Sequence, residues 1–268
     1  MFDKLRNKVP SMGDKRIYYT PRVILLLILC IYVPVLIVVV SHYIKQGFLL
    51  NFQQFALISS CYFLFFLQDK VHNAVNMGVS DILYHHIDLK RYDAYSDFLL
   101  LKNSRFFNNS AVMKGIVEFY KGNFKEAEGY FFKVNKDKWK FTDKTLERLN
   151  YYFYLSLTEL YLDNEELCLD YKQRLLNEKI RRKRLAILSK SYSDLIAEIL
   201  KISQGERSLY FSDNDSKQNR LIEIMFTFYK GLNELNQGHT DRAKAFFDKI
   251  ADENPDLFYV QEAKKYLN

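Results

Sequence analysis

Eighteen consecutive residues without a charge, Val23 to Val40 (VILLLILCIYVPVLIVVV), constrain this chain more than any other stretch. As a helix they extend about 27 Å, close to the hydrocarbon thickness of a bilayer. Tyr18 and Tyr19 precede the run and Tyr43 follows it, where aromatic side chains border a membrane–water interface. Pro34 falls mid-run; a soluble helix resists such a proline, but a membrane helix tolerates it. A cleaved signal peptide would have a shorter apolar region and a small-residue site after it, and Ser41-His42-Tyr43 is a poor site. The run predicts a transmembrane helix.

A second uncharged stretch, Phe48 to Leu67, follows after seven residues. Asn51, Gln53 and Gln54 make its first half costly in lipid, while FALISSCYFLFFL is strongly apolar. Twenty uncharged residues suit a second span; an interfacial or buried helix is the alternative. Ser41 to Gly47 would then turn between two antiparallel helices. Six Lys and Arg residues precede the first span and one, Lys45, lies in the turn. The positive-inside rule puts the basic arm, residues 1–22, in the cytoplasm. Spans at 23–40 and 48–67 return the remainder, 69–268, to the same side. The expectation is an integral plasma-membrane protein with both termini cytoplasmic. If the second stretch does not span, the domain lies outside.

The net charge of +7 is uneven. Residues 1–47 hold seven basic side chains against two acids, and the rest of the chain is nearly balanced. A nucleic-acid partner would want a basic face on the folded domain, so none is expected. Of three cysteines, Cys30 and Cys61 lie in the apolar stretches and Cys168 is alone in the domain, which supplies no disulfide framework. Asn108 and Asn214 begin N-x-S sequons, relevant only in a glycosylating host. Abundant Lys, Asn, Tyr, Phe and Ile suggest an AT-rich, bacterial genome.

No proline occurs between Val35 and Asn254. A loop-rich or β-rich domain would use several in turns. Apolar residues recur at helical spacing, as in Leu157, Leu160 and Tyr161 or Leu195, Ile196 and Ile199. The fold class is therefore all-α, with breaks near Asp88, Gly122, Asp163, Gln204, Gly238 and Pro255. Ser203 to Gln218 reads as a longer loop.

Two segments repeat each other: AVMKGIVEFYKGNFKEAEGYFFKV (Ala111 to Val134) and TFYKGLNELNQGHTDRAKAFFDKI (Thr227 to Ile250). Lys114, Gly115, Glu118, Gly122, Ala127 and Phe131 correspond to Lys230, Gly231, Glu234, Gly238, Ala243 and Phe247. This pattern resembles the tetratricopeptide repeat (TPR). The resemblance implies a stack of about five helical hairpins, an α-solenoid, behind the transmembrane hairpin. Ser156 and Cys168 would hold the small-residue sites of a degenerate copy, and Leu83 and Tyr95 those of another. Glycine inside a helix costs about 1 kcal/mol against alanine, so Gly115 and Gly231 call for a packing reason. Gly122 and Gly238 suit a left-handed helix end. Such stacks present a concave groove, here expected to be lined by Val112, Ile116, Phe119 and Tyr120 and by Phe228, Leu232 and Leu235; burial of these residues by neighbouring hairpins is the alternative. The family's carboxylate clamp uses Lys and Asn at such places; apolar residues instead suit a hydrophobic helix or extended segment.

Chemistry is sparsely represented. His85-His86 lies near Asp81 and Asp88, a conceivable metal site, although a polar helix face is the plainer reading. No nucleophile motif is present, Cys168 reads as a buried structural thiol, and Glu165-Glu166 suits a helix start. No catalytic residue, metal or cofactor is expected. Lys179, Arg181, Arg182, Lys183 and Arg184 form the densest charge cluster. It suits anionic lipid, RNA or a solvated turn. Together these features predict a membrane-anchored, non-enzymatic scaffold that binds another protein through its groove. The alternative is an accessory subunit of a membrane transport or envelope-assembly complex.

Overall fold

A computed structural model of the chain describes residues 2–46, 51–102, 107–139, 145–213 and 219–267. The described residues form helices and turns without a strand. They divide into two compact units, Met1–Ile82 and Leu83–Asn268.

The first unit contains α1 (Phe2–Lys8), a 3-10 turn (Val9–Ser11), α2 (Asp14–Gln46) and most of α3 (Asn51–Tyr84). α2 continues through Pro21 and Pro34. It also continues through Ser41 to Gln46, so the expected turn there is helical up to its last residue; Gly47 lies outside the described residues. α3 passes Leu67 without a break, because Gln68 to Tyr84 contains neither proline nor a helix-ending glycine. Phe48 to Leu50, where the second expected span begins, lie outside the described residues, as do the side chains of Asn51, Gln53 and Gln54.

One described helix, Asp14–Val38, is long and apolar enough to cross a membrane. Its Val23, Leu26, Leu27, Ile37 and Val38 are all more than half exposed, as are Tyr62, Phe63, Phe65 and Phe66 of α3. Burial in this unit lies elsewhere, at Val9, Ile17, Val71, Ala74, Val75, Val79 and Ile82. The N-terminal arm makes a specific contact with α3. Arg6 donates two hydrogen bonds to Asp81, at 2.6 and 2.7 Å. This pairing outweighs partial burial and holds the guanidinium pKa above its ordinary value. A Cβ on Gly78 would stand 2.4 Å from the Cβ of Val9 and 2.8 Å from the Arg6 carbonyl oxygen. Glycine at 78 is what admits the arm.

The second unit contains α4 (Leu89–Lys102), α5 (Phe107–Lys121), α6 (Phe124–Phe132), α7 (Thr145–Tyr161), α8 (Glu165–Leu176) and α9 (Lys183–Ser203). It ends with α10 (Leu209–Asp213), α11 (Arg220–Asn236), α12 (Thr240–Ala251) and α13 (Phe258–Leu267). α10 lies inside the stretch expected to be a loop. Helices adjacent in sequence pack together, most extensively α5 with α6, α7 with α8 and α11 with α12. α5 also meets α7, α7 meets α9, and α9 meets α11.

Those four helices end in the same turn. Asn123, Asn164, Glu206 and His239 each donate a backbone N–H to the carbonyl five residues back, at Glu118, Glu159, Lys201 and Glu234. The residue before each donor is left-handed: Gly122 (φ 84°), Asp163 (φ 59°), Gly205 (φ 80°) and Gly238 (φ 78°). This is the Schellman ending, which satisfies carbonyls a helix end leaves unpaired. Aspartate is among the few non-glycine residues that visit this region readily. In three of the turns a side-chain bond adds to it. Glu118 accepts from Asn123 at 2.6 Å, Glu159 accepts from Asn164 at 3.0 Å, and Glu234 pairs with His239 at 2.8 Å.

Candidate functional site

The two clearest sequence repeats place identical contacts. A Cβ on Gly115 would stand 2.5 Å from the Phe131 ring edge, and one on Gly231 would stand 2.5 Å from the Phe247 ring edge. Phe131 and Phe247 are fully buried, as are Ala127 and Ala243. Each glycine thus vacates the volume that a phenylalanine from the next helix fills. In α7 and α8 the corresponding small-residue sites, Ser156 and Cys168, meet directly. The Ser156 hydroxyl donates to the Cys168 carbonyl at 2.7 Å and lies 3.3 Å from its sulfur. Burial pushes the Cys168 thiol up, with the Ser156 contact opposing, so this sulfur is a packing group and a poor nucleophile.

The side of α5 expected to line a groove is filled. Val112, Ile116, Phe119 and Tyr120 are at most 4% exposed, and Phe228 is 3% exposed. Only Leu232 and Leu235 are half-buried. α13 supplies the cover. Phe258 packs against Gly122, Phe124 and Tyr161, and Tyr259 packs against Tyr120, Phe228 and Tyr229. The turn before α13 is fastened to the turn before α4. Asn254 Nδ2 donates to the Ile87 carbonyl at 2.8 Å, and Asp256 pairs with Lys90 at 3.5 Å. Among the described residues, this side of α5 is covered.

Tyrosine hydroxyls line this interior. Tyr154 bonds both Tyr120 (2.8 Å) and Tyr84 (3.0 Å), and Tyr161 bonds Tyr229. The Tyr259 hydroxyl is buried beside the Tyr161 and Tyr229 hydroxyls. Burial raises all of these phenols. They remain neutral at physiological pH and act as hydrogen-bonding groups.

Glu159 is the one fully buried carboxylate among the described residues. Oε2 accepts from Asn164, while Oε1 has no partner. Burial raises its pKa, and the Asn164 bond opposes that rise. A raised carboxylate favours the fold most where it is protonated, and that contribution is lost as pH rises through the folded value. Glu159→Gln is therefore expected to raise the melting temperature by a few degrees at pH 7. The gain should vanish below the ordinary glutamate range. Melts from pH 3.5 to 8 check both the sign and the convergence.

The remaining candidates are dispersed. His85 and His86 are exposed, and both carboxylate oxygens of Asp81 are engaged by Arg6. No group of three His, Cys, Asp or Glu converges among the described residues. Asn108 is 4% exposed and its amide is bonded to Asn135 in both directions, so that sequon is buried; Asn214 lies outside the described residues. Lys179, Arg181, Arg182, Lys183 and Arg184 are exposed at the α8–α9 corner. Leu257 to Leu267 reads from sequence as a closing helix; that it covers α5 is shown by the contacts of Phe258 and Tyr259. Comparison with protein-family profiles, with curated proteins and with solved structures finds no match for this chain.

Proposed function

We propose that this chain is a membrane-anchored, TPR-like scaffold that holds another protein at the bilayer from the cytoplasmic side. The observation that carries this reading is the recurrence of one unit. The same left-handed turn ends α5, α7, α9 and α11, and the same glycine–phenylalanine contact joins α5 to α6 and α11 to α12. Repeats of that kind stack into a solenoid. A stack attached to an apolar helix raises the local concentration of whatever it binds.

Two spans are favoured over one by the distribution of exposure in the first unit. Exposed apolar side chains occupy Val23 to Val38 of α2 and Tyr62 to Phe66 of α3. Both stretches end at charge, Arg22 over the Tyr18 ring and Lys70 over the Phe66 ring. The arm beyond Arg22 reaches residues 78–81 beyond Lys70 through the Arg6–Asp81 pair. An arm so placed shares a side of the membrane with the end of α3. That placement supports a crossing by both apolar stretches.

Single cysteines introduced as Ser11→Cys, Lys45→Cys and Lys265→Cys test this in intact cells, in a background of Cys30→Ala and Cys61→Ala. A membrane-impermeant maleimide is expected to label position 45 alone, with 11 and 265 reacting only after permeabilisation. Opposite behaviour of 11 and 265 would remove the two-span reading.

With α5 sealed, the partner surface moves to the outer helices. Phe132 of α6 and Leu167 and Leu169 of α8 are 40–55% exposed. Photo-crosslinkers at 132 and 167 in the full chain should trap one protein species, and no adduct at either site counts against the scaffold. The accessory-subunit reading rests on the bare apolar side chains of α2 and α3, which neighbouring spans could cover. It gains if association needs those helices.

A further inference from the structure

We infer that the corner between α8 and α9 is a second, peripheral contact with an anionic bilayer surface. From Lys179 to Ser193 there are six cations and no acid. The acids on its α8 side are already engaged, Glu178 by Arg148 and Asp170 by Arg174, each at 2.8 Å. The next acid along α9 is Asp194. Glu178 and Asp170 are therefore engaged by cations outside the cluster.

That charge does not serve the helix. Lys183 and Arg184 occupy the first turn of α9, which contains no acid, and the N-cap Arg182 makes no side-chain capping bond. Cations at a helix N-terminus oppose the macrodipole, and an uncapped start forgoes the stabilisation a capping side chain gives. A sequence selected for helix stability alone would place Ser, Asp or Glu here.

Exposed apolar groups stand among the cations. Ile187 is 59% exposed and lies one turn from Lys183, on the face that also presents Lys190. Leu176, which closes α8, is 44% exposed. Cations flanking apolar side chains match an interface of acidic headgroups over acyl chain, where lysine and arginine stems also find apolar surroundings. A phosphodiester backbone would use the cations and leave Ile187 without a role, so the bilayer is favoured over RNA. The inference rests on the membrane-anchor reading only for proximity; the corner's own composition selects the lipid charge.

The full chain, labelled with an environment-sensitive dye through Ile187→Cys in the Cys30→Ala, Cys61→Ala background, is reconstituted in two kinds of vesicle. One is phosphatidylcholine alone and the other contains one third phosphatidylglycerol. Flotation reports the anchor and dye emission reports the corner. The expected result is flotation with both, and a blue shift only with phosphatidylglycerol that 1 M salt reverses. Arg181→Glu with Arg184→Glu should lower the ratio of bound to free corner by roughly tenfold or more.

Equal emission in the two vesicles, or a shift that survives the reversal of charge, overturns the inference while the anchor stands. Flotation with anionic vesicles alone supports the corner and removes the anchor; flotation with neither removes both. A shift that appears only when polyuridylate is added assigns the corner to nucleic acid and also overturns it.

Discussion

Gly231→Val is expected to destabilise the second unit by about 3 kcal/mol or more, through overpacking that the core cannot relieve. The first carbon added at 231 already falls 2.5 Å from the Phe247 ring, and valine adds two more. Phe247 is fully buried and stacks on Tyr266 at 4.7 Å, so the ring has no vacant space to enter. Gly231→Ala is the graded control. Alanine gains about 1 kcal/mol of helix propensity against the same clash in its mildest form, so its net effect should be much smaller. Gly231→Val with Phe247→Leu should recover part of the loss, because the shorter side chain withdraws from the contact. Gly115→Val should behave like Gly231→Val, through Phe131. Circular-dichroism melts of the detergent-purified chain measure all four. A Gly231→Val midpoint equal to that of the parent would mean that the glycine serves no packing role.

Gly115 and Gly231 were legible because a glycine inside a helical pattern is expensive, and its repetition at one register position demands a reason. The left-handed turns at Gly122 and Gly238 were legible on the same ground. The turns at Asp163 and Gly205 are equivalent in geometry; breaks were legible near both, but their left-handed ending was not. Aspartate carries little of glycine's signal, and the Lys201 position lacks the glutamate that marks the other three. The pairing of Glu118 with Asn123, Glu159 with Asn164 and Glu234 with His239 was readable as a spacing of five. It became informative only once the turn geometry gave that spacing a meaning.

The sealing of α5 was not legible in any local pattern. An apolar stripe looks the same whether a partner or a distant helix covers it. Asn254 bonding to the carbonyl of Ile87 joins residues 167 positions apart. The extent of α3 was obscured for the opposite reason. Hydropathy falls at Gln68 and suggests a boundary, but a helix ends only where its hydrogen bonding ends, and Gln68 to Tyr84 contains nothing that ends it.

Tyr259→Ala is expected to be the most damaging single truncation in α13, at about 3–5 kcal/mol. Tyr259 is fully buried and its ring meets Phe228 at 5.4 Å, Tyr229 at 5.9 Å and Tyr120 at 6.3 Å. Its removal opens the covered side of α5 to water. Tyr259→Phe separates the ring from the hydroxyl. That hydroxyl is buried beside Tyr161 and Tyr229, where what it gains from them is offset by its own desolvation, so its loss should cost no more than about 1 kcal/mol. Tyr154→Phe is the contrasting case. It leaves the Tyr84 and Tyr120 hydroxyls facing a carbon and should cost about 1–3 kcal/mol. Thermal melts rank the three, and binding of an apolar dye reports whether the interior has opened. The expected order is Tyr259→Ala, then Tyr154→Phe, then Tyr259→Phe, with dye binding raised by the first alone. A stable Tyr259→Ala chain that binds no dye would mean that α13 is an accessory to the stack and leaves the inner face available to a partner.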